Sequence, residues 1–141
     1  MVKAFNLMSE NLGQNDKHFQ YIDITLTPEN GTLNDNSFGD IIFDSFLGEG
    51  INKISTKTFN RDQTDLIDTF WCEKCWLQNQ PPKYDLWNVF GQMNRMTFLS
   101  TNLNVTEIPS NAINGHKESQ LRMITIYSSI QNLTIKSHAF R

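Results

Sequence analysis

Apolar positions recur along the chain in a fixed order that is clearest in its last stretch, LRMITIYSSIQNLTIKSHAFR, from residue 121 to 141. Leu121, Ile124 and Ile126 give the spacing L-x-x-L-x-L, and Ser129, Ile130, Ile135 and Phe140 follow. The same order appears once more upstream, where Leu99 aligns with Ile126, Asn102 with Ser129, Leu103 with Ile130 and Ile108 with Ile135. Phe59, Leu86, Ile113 and Phe140 extend that period through most of the chain. A fixed period of this size, about 27 residues, marks a stacked repeat protein. Within each copy, β-branched and aromatic residues predict a short strand. Gly and Asn clusters predict a turn, and a return segment ends in Ala-Phe or its equivalent. Strands set side by side in one frame give a parallel sheet, and no copy can bury its apolar edge alone.

Phe19, Ile22 and Ile24 read as a short first copy. Phe38, Ile41 and Phe43 read as the strand of copy one, which Ile51, Ile54 and Phe59 close after the loop at Gly48 to Gly50. Ile67, Phe70 and Cys72 take the strand positions of copy two, and Pro81 makes its return loop irregular. Copy three starts near Asn94 and Thr97, and copy four at Leu121. Residues 1–18 are polar without a clear period and read as a leader or cap, with a short helix over KAFNLM as the alternative. Residues 19–141 then form the repeat domain, whose last copy looks incomplete.

The pattern resembles the leucine-rich-repeat family, whose signature L-x-x-L-x-L-x-x-N/C-x-L recurs roughly every 20 to roughly 29 residues. LRMITIYSS carries the resemblance best, and EIPSNAI and TIKSHAF resemble the return segments of extracellular members, with a texture similar to secreted arthropod ones. The resemblance implies an α/β fold: a short leucine-rich-repeat solenoid with a parallel concave sheet and a repeat of about 27 residues. It also implies partner binding without catalysis in the repeats. Leucines here are often replaced by Ile, Met, Phe or Thr, and no cysteine-rich cap is evident.

Strand side chains alternate between faces, so the residues between the apolar positions point outward. In copies two to four these are Thr69, Trp71 and Glu73; Met96, Phe98 and Ser100; Met123, Thr125 and Tyr127. In copy one they are Asp40, Ile42 and Asp44. Trp71, Met96, Phe98, Met123 and Tyr127, with Glu73 at the rim, make an apolar outward stripe that marks a ligand-binding surface. A frame shifted by one residue would turn the same stripe into core.

Composition narrows the function. A net charge of −3 without a basic cluster argues against a nucleic-acid partner. No stretch approaches the roughly 20 apolar residues of a membrane span. Sequons at Asn30, Asn104 and Asn132 are glycosylation acceptors if the chain enters a secretory pathway, although no signal peptide is evident. The expected function is a non-enzymatic, extracellular or secreted glycoprotein that binds a protein, with self-association as a further use of the stripe and no cofactor.

The alternative of another class lies in FWCEKCW. Cys72-x-x-Cys75 after a strand has the spacing of a thiol-disulfide oxidoreductase, which requires an accessible Cys72 of low pKa. The repeat frame accounts for both residues differently. It puts Cys72 in the column of Leu99 and Ile126, and Cys75 in the small-polar column of Asn102 and Ser129. A zinc site would need two more ligands, and His18, His116 and His138 are scattered, so no metal is expected.

Overall fold

The computed structural model describes residues 2–9, 17–113, 121–128 and 130–140. The chain forms β1 (Val2–Ser9), β2 (His18–Leu26), β3 (Thr32–Leu33), β4 (Ile42–Glu49) and β5 (Lys53–Ile54). Helix α1 (Arg61–Thr64), β6 (Thr69–Leu77) and α2 (Leu86–Gly91) follow. Then come β7 (Phe98–Leu103), β8 (Glu107–Ile108), β9 (Met123–Ser128) and β10 (Thr134–Ile135). The main sheet has six strands in the order β1-β2-β4-β6-β7-β9. Strand β1 runs antiparallel to β2, and the other five are parallel. Two small parallel pairs, β3 with β5 and β8 with β10, lie apart from it.

This architecture corrects the α/β solenoid of uniform units. Among the described residues the structure is mostly strand, and its two α-helices are one to two turns long. The steps between neighbouring strands are unequal. Ile22 faces Phe46 and Phe46 faces Phe70, and both steps are shorter than the period read from the sequence. The step from Phe70 to its partner Leu99 is longer than that period, and the step from Leu99 to Ile124 is again shorter. The connections differ in length because they are built differently. Phe59 precedes α1, Leu86 opens α2, and Ile113 sits in a turn, so their equal spacing does not mark one recurring element. Leu99 therefore aligns with Ile124 rather than Ile126, and Cys72 with Thr101 rather than Leu99.

The first copy also shifts. Phe43 is inward as expected, but it is Phe46 and Gly48 that share the inward positions of β4 with it, while Phe38 and Ile41 lie before the strand. Phe38 instead stacks on Phe59 at 5.5 Å, edge-on to Phe43 and Phe46, inside the connection. The KAFNLM segment is part of strand β1, not a helix. Residues 10–16 of the expected leader lie outside the described residues.

The core lies on one side of the sheet in two ranks. One rank is Ile22, Phe46, Phe70, Leu99 and Ile124, and the other is Ile24, Gly48, Cys72, Thr101 and Ile126. Phe46 stacks on Phe70 at 5.0 Å, and Leu33, Ile54 and Ile108 of the small pairs close the far side. Short helices need help at their ends. The Asn60 side chain accepts from Gln63 N at 3.0 Å, while Gln63 Oε1 accepts from Asn60 N at 2.9 Å. The buried Gln63 amide also donates to the Ile41 carbonyl at 2.8 Å, which ties α1 to the start of β4.

Candidate functional site

The opposite side of the sheet carries the outward residues, and its strand register sets them in rows. The first row is Tyr21, Ser45, Thr69, Phe98 and Met123. The second is Asp23, Leu47, Trp71, Ser100 and Thr125. In the third, Thr25, Glu49 and Glu73 lie side by side, and Asn102 faces Tyr127. Adjacent strands stand about 4.8 Å apart. Phe98 and Met123 are thus direct cross-strand neighbours, and Trp71 is diagonal to Phe98.

Trp71 is 41% exposed, Phe98 39%, Met123 43% and Tyr127 58%, in a sheet whose inward ranks are largely closed. Glu73 is exposed beside them and accepts the Trp71 indole N–H at 3.0 Å, which fixes the ring. Met96 does not join the stripe. It is 2% exposed and lies just before β7, upstream of Leu99 as Ile67 is upstream of Phe70 and Leu121 of Ile124. At that position the chain is still entering the strand, and the side chain turns into the core. In the first copy the outward residues are Ser45, Leu47 and Glu49, in place of Asp40, Ile42 and Asp44. Lys17, 2.6 Å from Asp40, holds that carboxyl below its ordinary value, by hydrogen bonding first and Coulombic attraction second, in an exposed pair at the start of the strands. Asp44 turns to His18 at 3.1 Å.

Leu47 belongs to this surface, and it and the exposed Trp76 of β6 lie outside the stripe read from the sequence. Leu47 follows from the corrected frame of β4. Trp76, 41% exposed, follows from a bulge: β6 leaves its pairing with β7 after Cys72 and resumes only at Leu77, facing Leu103. Lys74 and Trp76 both have φ of 52°, a left-handed backbone that breaks simple alternation.

Cys72 and Cys75 close this bulge with a disulfide, their Cα atoms 5.6 Å apart. They are 1% and 2% exposed. Cys75 is therefore bonded to Cys72 instead of serving as a small polar group for free backbone, and Ser129 of that column lies outside the described residues. Both cysteines sit within a strand, not at the helix start that activates a redox thiol. Room for the sulfurs comes from Gly48: a Cβ there would stand 3.2 Å from Cys72 Sγ and 2.7 Å from Ile51 Cδ1.

Among the described residues no group of three or more His, Cys, Asp or Glu is placed to hold a metal, and no helix is long and apolar enough to cross a membrane. His138 contacts Ser137 at 2.7 Å, and His116 is outside the described residues. Asn30, Asn104 and Asn132 are all exposed. Each follows the C-terminal end of a parallel strand, β2, β7 and β9 respectively. Comparison with protein-family models, curated proteins and solved structures gave no match.

Proposed function

We propose that the chain is a non-enzymatic, secreted binding module that engages a protein partner through the exposed face of its parallel sheet. The observation that carries this is the contiguous band of Trp71, Phe98 and Met123, with Tyr127 beyond it, open to solvent on a regular sheet. Large aromatic and Met side chains on a rigid platform bury much area at low entropic cost. An extracellular setting is supported by the disulfide and by three accessible sequons.

The test is a random peptide-display library selected against the immobilised protein. Selected peptides should lose at least tenfold in affinity for the Trp71→Ala/Phe98→Ala double variant, since interface aromatics commonly contribute about 1–2 kcal/mol or more each. Circular dichroism and melting should show that variant folded. Peptides that bind it undiminished, or a variant that does not fold, count against the proposal. Sedimentation against concentration separates self-association from capture of another protein.

A further inference from the structure

The band has a chemically distinct border. In the row at the C-terminal ends of the strands, Glu49 and Glu73 lie side by side, and Asp23 stands in the row below, next to Leu47 and Trp71. These side chains and Gly48 line an open groove of about 390 Å³. Two of its walls are apolar, the Leu47 side chain and the Trp71 indole, and three groups are carboxylates. Among the described residues, the cation paired with these carboxylates is Lys74 on the bulge, 3.7 Å from Glu49, with its side chain 79% exposed. Exposed pairs of this kind hold weakly, and a ligand can displace them. Arg95 and Arg122, exposed cations near the band, precede β7 and β9 and so lie at the opposite ends of the strands.

Resting on the docking function above, we infer that this face takes a basic polypeptide segment, with a Lys or Arg side chain seated between Trp71 and the Asp23, Glu49 and Glu73 carboxylates. The charge complementarity is local. The acidic outward strand residues gather beside the tryptophan, whereas the outward residues of β7 and β9 are uncharged. An arginine or lysine side chain matches both parts of the groove. Its methylene stem lies along Leu47 and the indole, where it keeps apolar contact while its head stays with the charges. Its cation meets the ring face and the carboxylates together, and such contacts strengthen as water is excluded. Trp71 is already oriented by Glu73, so little rotamer freedom is lost when the ligand arrives.

The experiment follows the indole N–H resonances of the intact protein by NMR, with Trp71 assigned through Trp71→Phe. The probes are N-acetyl-argininamide and its neutral isostere N-acetyl-citrullinamide. The Trp71 resonance should move saturably with the arginine probe and at least fivefold more weakly with citrulline. Glu49→Gln/Glu73→Gln should weaken the arginine response at least fivefold, while the new amide oxygen beside Trp71 can still accept from the indole. In the peptide selection, Arg or Lys should be enriched. Equal responses to both probes, no response to either, or a response that survives the double substitution overturns the inference. If peptides sensitive to Trp71→Ala/Phe98→Ala are still selected in those cases, the docking face stands and only its preference for cations is lost. If none are selected, both fail.

Discussion

The first and last parallel strands carry the same residues in the same ranks, yet they live in different surroundings. Ile22 and Ile24 on β2 face Phe46 and Gly48, and both are fully buried. Ile124 and Ile126 on β9 face Leu99 and Thr101, and both are only half-buried. The difference is in the flanks. Strand β2 is paired on both edges, by β1 and β4, while among the described residues no strand lies against the outer edge of β9. Beneath β2 and β4 the Phe38, Phe43, Phe46 and Phe59 rings pack on one another. Beneath β9, Ile124, Ile126 and Leu133 border an apolar cleft of about 440 Å³, where Ile135 is 56% exposed and Phe140 46%. Position in the stack, and not residue type, sets how much each isoleucine contributes.

The sharpest way to break that comparison is one substitution made twice. Ile24→Ala should cost about 3 kcal/mol, inside the range usual for truncating a closed isoleucine. Ile126→Ala should cost about 1 kcal/mol, because part of its area is wet in the folded state already. Urea denaturation of the two variants gives both values. Equal costs would mean that the last strand is covered in solution as fully as β2.

A smaller effect probes the tightness of the middle layers. Gly48 stands between Ile24 and Cys72 in the second rank. A Cβ there would come within 3.0 Å of Phe46 Cε1 as well as close to Ile51 and Cys72. Gly48→Ala should therefore destabilise by about 1–2 kcal/mol through overpacking, read as a shift in the denaturation midpoint. A neutral result would show slack around the disulfide that the packing does not suggest.

Gly48 also explains what is legible in the sequence. Alternation has a period of two, and the frame error between β7 and β9 is itself one such period, so the outward direction of Trp71, Phe98, Met123 and Tyr127 survives it. In β4 the signal fails. Glycine gives no apolar mark at the very position that must stay small for the disulfide, and Phe38 and Ile41 supply a decoy spacing just upstream. The uniform period fails for another reason. Connections are tolerant of length, and the Pro81–Pro82 turn with α2 lengthens the path from Phe70 to Leu99 while the strand ladder resumes beyond it. Met96 escapes the pattern because alternation holds only inside the strand, and β7 begins at Phe98.

The smallest effect tests whether surface charge contributes to the tightly packed end at all. Lys17 precedes β2 and Asp40 precedes β4, so their 2.6 Å contact spans the first two parallel strands. Asp40's carboxyl is held below its ordinary 3.8, first by the Lys17 hydrogen bond and then by the Lys17 charge. A depressed folded-state pKa adds stability that is present above the unfolded value and lost as pH falls through the folded one, so any contribution fades only below about pH 3.8. The pair is exposed and solvent screens it. Lys17→Met should thus raise the Asp40 titration midpoint toward 3.8, seen by NMR, and leave the denaturation midpoint at neutral pH unchanged. A clear loss of stability at neutral pH would show that charge as well as buried aromatic surface distinguishes the β2 end from the β9 end.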